Sequence, residues 1–186
     1  MYDLHFCDVG TREILRGVSM DQDKFVATFR THLQDVSKYL TRRVEISNVE
    51  DLASEIFEIA WRKRESCPEG FELAWLYKIA GFVVSNHRRK LSRRVVMLPL
   101  LDHDRSAPSA EDIALDGSSV AIAFDLLSSK DRQILSLFVF EQLSVKEISV
   151  ALEISENSTS QRLKRARERL ARNLALQVSD THEGGH

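Results

Sequence analysis

Apolar residues recur along the chain at the spacing of one helical face, in separate blocks. Phe25, Phe29, Leu33, Val36 and Leu40 mark a first helix, opened by a Ser19–Gln22 capping signal and ending near Arg43. Val49, Leu52, Ala53, Ile56, Phe57 and Ala60 mark a second behind a Ser47–Glu50 capping box. It stops by Ser66, because the residue before Pro68 disfavours helix and Gly70 follows. From Glu72 to Leu91 a third helix is apolar on more than one face, through Leu73, Trp75, Leu76, Ile79, Ala80, Val83 and Val84, as suits the centre of a bundle. Trp61 and Trp75 both fall on apolar sides and are read as core. Pro99, Pro108 and the small-polar stretch Ser106–Ala110 then break the pattern, although the apolar piece Val95–Leu101 should pack on something. A short helix over Ser119–Leu127 precedes a Ser128–Asp131 capping box and a helix through Ile134, Leu135, Phe138 and Val139. No stretch alternates with the period of a strand. The expected fold is all-α: two small helical domains, at 20–94 and 119–178, joined by a flexible linker at 95–118. A loosely ordered lead-in (1–19) and a tail (179–186) complete the chain.

The most informative stretch is Ser144–Leu170. Ser144 and Glu147 have capping-box spacing, and Val145, Ile148 and Leu152 share one face of a short helix. A turn through Ile154 leads to Ser155, which can cap a second helix with Glu156 in its first turn, where the helix dipole favours negative charge. In that helix Leu163, Ala166, Leu170 and Leu174 face inward, and Ser160, Gln161, Lys164, Arg165, Glu168 and Arg172 lie around the other side. This is the pattern of a helix-turn-helix, whose second helix enters the DNA major groove.

Composition changes the picture in one respect. The chain has 186 residues and is 43% hydrophobic, but its formal net charge is -2, which argues against a strong autonomous nucleic-acid binder. The charge is sorted into blocks. Between Val44 and Ala60 every charged residue is acidic, and between Arg88 and Arg94 every one is basic. Asp102–Asp116 is mainly acidic again and Arg162–Arg172 mainly basic, so two partners of opposite preference are expected, one of them polyanionic. Cys7 and Cys67 form no metal-ligand spacing and suit a reduced, cytoplasmic protein. His182 and His186 are read as part of a disordered end rather than a metal site. No signal peptide or membrane span is visible.

Taken in order, four stretches resemble the extracytoplasmic-function (ECF) group of the sigma-70 family of bacterial transcription initiation factors. Glu50–Phe57 with Ala60-Trp61 is similar to that family's region 2.2, and Trp75–Ala80 with the following basic run to regions 2.3 and 2.4. Leu143-Ser144 with Glu147-Ile148 resembles the start of the region 4.2 helix-turn-helix, and Arg162-Leu163 with Arg165–Arg167 its recognition helix. The resemblance implies a non-enzymatic subunit without cofactor, which binds core RNA polymerase at the clamp of the largest subunit and at the flap region. The clamp contact would fall on Asp51, Glu55 and Glu58. It implies that the minus-10 element is read as single strand by Ser66, Cys67, Glu69 and Phe71, with Arg88, Arg89 and Lys90 on phosphates. The minus-35 duplex would be read by Ser160, Gln161, Lys164 and Arg165, with Arg162 and Arg167 on phosphates. An anti-sigma factor, often membrane-bound, is a further expected partner.

The chain departs from the family pattern at several positions. Glu153 stands where the turn often carries glycine; if φ is positive there, glutamate costs on the order of 1 kcal/mol. Thr159 and Ser160 stand where an apolar and a basic residue are common, and Gly81-Phe82 where Arg-Asn is usual. The alternative reading is an autonomous operator-binding regulator, which the modest charge and acidic helix disfavour. An enzyme using Glu50, Asp51 and Glu55 lacks any His or Cys set beside them.

Overall fold

The computed structural model describes residues 21–96 and 119–183. The Ser19 capping signal, the lead-in, residues 97–118 of the linker and the end of the tail lie outside the described residues. Among the described residues there are seven α-helices and no strand.

The first three helices are α1 (Gln22–Thr41), α2 (Val49–Arg62) and α3 (Glu72–Val96), and they pack as a three-helix bundle. Asp21 caps α1, its carboxylate accepting from the Lys24 amide at 2.8 Å. The Ser47–Glu50 capping box does not form. A 3-10 turn over Ile46–Asn48 carries the chain into α2, so Ser47 lies inside a helical turn where an N-cap geometry is closed to it. The face read from the sequence is otherwise the buried one: Leu52, Ala53, Ile56, Phe57 and Ala60 all enter the core. α3 is the central helix, burying residues from Ala74 to Val84 against α1 and α2. Trp75 belongs to this core, but Trp61 does not. Trp61 is 37% exposed, with Phe25 edge-on at 5.0 Å and the Arg64 guanidinium over its ring at 4.3 Å. One residue past Ala60, Trp61 sits about 100° round the helix, at the edge of the buried face rather than in it.

The second group comprises α4 (Ser119–Asp125), α5 (Ser129–Val139), α6 (Val145–Leu152) and α7 (Glu156–Glu183). Ser128 caps α5 by accepting from the Asp131 amide. The Asp131 carboxylate, nearly buried, takes the Ser128 hydroxyl and the Arg169 guanidinium, which ties α5 to α7. Asn173 holds α7 to α4 by donating to the Ala123 carbonyl at 3.0 Å. Val139, expected on the apolar face of α5, is exposed, because that face is centred on Ile134, Leu135 and Leu137.

The two groups are not separate bodies in space. α6 lies on α3, and the buried apolar side chains form one contiguous cluster running from Val36 to Ala166.

Candidate nucleic-acid interface

The helix-turn-helix forms as its sequence predicts. Both halves of the Ser144–Glu147 capping box are present: Ser144 Oγ accepts from the Glu147 amide, and the Glu147 carboxylate accepts from the Ser144 amide at 2.8 Å. Ile148 and Ala151 anchor α6 in the core. Glu153 ends α6 with φ 54°, ψ 44°, the left-handed conformation that glycine adopts more cheaply. Ser155 then caps α7 by accepting from the Ser158 amide at 3.2 Å. Thr159 is fully buried although polar, and its hydroxyl is satisfied by the Ser155 carbonyl at 3.0 Å. A threonine therefore fills the apolar position without leaving an orphan donor.

Leu163 and Ala166 seat α7 on the domain. At about 100° per residue this turns Gln161, Lys164, Arg165, Glu168 and Arg172 toward solvent, with Ser160 and Arg162 at the two rims. Arg165 folds back on Gln161, donating to its carbonyl and its side-chain oxygen at 3.3 and 3.4 Å. Lys164 sits 4.0 Å from Glu168. Arg167 turns the other way, its guanidinium over the Phe138 ring at 4.2 Å.

In the first domain Asp51 and Glu58 are exposed and Glu55 half-buried, in a stripe along α2 opposite its buried face. Glu58 pairs with Arg62 at 3.5 Å. The loop after α2 closes in a turn, with the Phe71 amide donating to the Pro68 carbonyl at 3.1 Å and Gly70 at φ 75°. Ser66 and Glu69 project into solvent, and Phe71 is half-buried. Cys67 turns inward and is buried, so it supports the loop from below. Arg88 is half-buried and donates to the Arg43 carbonyl at 3.2 Å, whereas Arg89 and Lys90 are exposed.

Among the described residues, the most elaborate polar constellation lies between the two domains, on side chains that no sequence pattern singles out. The Glu141 side chain, 2% exposed, accepts from Arg42 at 2.6 Å, from Arg43 at 3.1 Å and from the Tyr77 hydroxyl at 3.3 Å. Aromatic rings enclose this set: Arg43 stacks on Tyr39 at 3.6 Å, Tyr39 stacks on Tyr77, and Arg42 approaches Phe140. Burial, then the Glu141 charge, pushes the Tyr77 phenol well above its ordinary range. At the other end of α6, Glu153 accepts from Lys78 at 2.7 Å. A lone acid inside the apolar run Leu137–Leu143 was a signal, but its partners lie 99, 98 and 64 positions away.

Comparison with known proteins identifies the two domains. The family model for sigma-70 region 2 matches residues 28–94, and that for sigma-70 region 4 matches residues 123–170, together more than half of the chain. No curated protein sequence matches the chain. Among solved structures, the chain is similar to the sigma factor RpoE in complex with the anti-sigma factor NepR from Bartonella quintana, at 22% identity and TM-score 0.59, over 82% of this chain and 98% of that one. It is also similar to CnrH in complex with the cytosolic domain of CnrY, at 18% identity and TM-score 0.55, over 84% of this chain and 90% of that one. No helix among the described residues is long and apolar enough to cross a membrane. With a region 2 domain followed by a region 4 domain, the chain belongs to the sigma-70 family and has the architecture of its ECF group.

Proposed function

We propose that this sigma factor binds core RNA polymerase and directs it to promoters, with residues 20–94 taking the minus-10 element as single strand and residues 119–178 the minus-35 element as duplex. The observation that carries this reading is the ordered pair of region 2 and region 4 domains, each with a solvent-facing polar stripe of the kind its partner requires. Asp51, Glu55 and Glu58 present negative charge to the polymerase clamp, and region 4 meets the flap. Ser66, Glu69 and Phe71 surround the unstacked base over the buried Cys67, and Arg88, Arg89 and Lys90 line the strand's phosphates. Gln161, Lys164 and Arg165 reach base edges, Ser160 lies beside them, and Arg162 and Arg167 hold the backbone. The solved structures resembling this chain were captured with anti-sigma factors. That supports an anti-sigma factor as a partner here, in the cytoplasm or at the membrane face.

The test is a titration of core polymerase with the chain and with a variant carrying Asp51→Lys and Glu55→Lys. Both residues sit opposite the buried face, so the variant should keep its helical content by circular dichroism and lose core affinity at least roughly ten-fold, about 1.4 kcal/mol. Equal affinity of the two proteins would remove the acidic stripe from the contact. Absence of core binding by the unaltered chain would sink the reading itself.

A further inference from the structure

The loop after α2 is held from two sides. Its turn runs from Pro68 to Phe71, and Gly70 takes φ 75° at the third position, a conformation that glycine adopts freely. Glu69 therefore stands at the corner of the turn, with its side chain 66% exposed. Glu72, in the first turn of α3, reaches back: its Oε1 accepts from the Gly70 amide at 3.2 Å. Lys24, in the first turn of α1, closes the set. Its ammonium lies 3.6 Å from the Glu69 carboxylate and 3.7 Å from that of Glu72. Lys24 is itself placed by the α1 cap, because its amide donates to Asp21.

These contacts meet an electrostatic difficulty. The loop is assigned above to an unstacked base, and the strand that carries this base is a polyanion. Glu69 and Glu72 repel such a strand and each other, and one ammonium between them offsets that repulsion at close range. Exposed ion pairs add little to the stability of a fold. Their effect here falls instead on where the corner of the turn points. A base drawn out of its stack is read on its Watson–Crick edge, and such reading is sharpest when the polar groups are fixed before the base arrives. An ionised carboxylate only accepts hydrogen bonds, so the direction of Glu69 decides which donors of a base it can meet.

We propose that Lys24 and Glu72 are positioning residues for minus-10 selectivity: they brace the Pro68–Phe71 turn so that the Glu69 carboxylate meets one unstacked base in a single orientation. The selectivity, though not the brace, rests on the assignment of this loop to the single strand. Glu72 holds the backbone of the turn through the Gly70 amide, and Lys24 holds the side chain at its corner. Loss of the Lys24 ammonium frees Glu69 alone. Loss of the Glu72 carboxylate frees the turn as well.

The experiment places Lys24→Met, Lys24→Arg, Glu72→Ala and Glu72→Gln separately in the full chain. Circular dichroism and urea unfolding verify that each is folded, and a titration reads affinity for core polymerase. Run-off transcription with core then uses a template from which the wild type starts, carrying each of the four bases in turn at every minus-10 position. Lys24→Met and Glu72→Ala should relax the base preference at one position by at least roughly three-fold, with core affinity and the other positions unchanged. Lys24→Arg should retain the preference. Glu72→Gln, which keeps an acceptor for the Gly70 amide without the charge, should fall between, and it guards against an alanine variant that fails to fold. Folded variants that keep every preference would overturn the proposal. So would a loss spread evenly over all minus-10 positions, which marks a merely structural role. Hydrogen exchange at the Gly70 amide reads the brace without DNA: Glu72→Ala should speed it at least roughly three-fold, and an unchanged rate would overturn the brace. If the wild type starts from no template, the proposed function fails instead, and the exchange rate still decides whether the brace holds the loop.

Discussion

Cys67 illustrates how a single buried group reports on the whole fold. Burial first, and the nearby Glu72 carboxylate second, push its thiol from its ordinary value near 9 up to about 12. The unfolded chain releases this proton near 9 while the native chain retains it, so between those values the unfolded state binds fewer protons. Stability should therefore be fully present below about 9 and fall as pH rises toward 12, and Tyr77 contributes with the same sign. Urea midpoints measured across alkaline pH check this, and Cys67→Ala should flatten the decline; a midpoint independent of pH would contradict the burial of both groups. Arg165 carries a different prediction. If it touches a phosphate, Arg165→Ala should lower the salt slope of minus-35 duplex binding by about one unit. If it reads a guanine edge, sequence preference should relax with the slope unchanged. A variant unchanged in both would remove Arg165 from the interface.

Among the elements, α6 depends most on its first residues. It has only eight residues, too few to persist without caps and tertiary contacts. Ser144→Ala removes the hydroxyl's half of the capping box, leaving the Ser144 amide to donate to Glu147, and should cost about 1 kcal/mol, read from urea or thermal unfolding; Ser144→Asp should restore most of it. An alanine variant as stable as the parent would show that the contact with α3 alone holds α6 in place. The elements themselves were legible in the sequence because each buries a face at one helical period, as α2 does from Leu52 to Ala60. The entry to α2 was not, since the serine that fits a capping box lies inside the 3-10 turn over Ile46–Asn48, which no local period announces. Trp61 was misread for a related reason. It follows Ala60 by one residue, which turns it about 100° away from the centre of the buried face.

At the scale of the molecule, two domains and their order were legible, because the family's motifs fall on the helices in sequence. Their mutual packing was not. Glu141 meets Arg42 and Arg43 only after two domains have folded and docked, and no local period connects residues nearly a hundred positions apart. The solvent-facing stripes on α2 and α7 followed from the buried faces opposite them.

The central claim is promoter-directed initiation, and run-off transcription tests it most directly. Core RNA polymerase is given pooled genomic templates, alone and with the chain, and transcript starts are sequenced. The account predicts new starts, absent with core alone, that share one minus-10 and one minus-35 sequence. Starts unchanged by the chain, together with its tight binding alone to palindromic DNA, would contradict it.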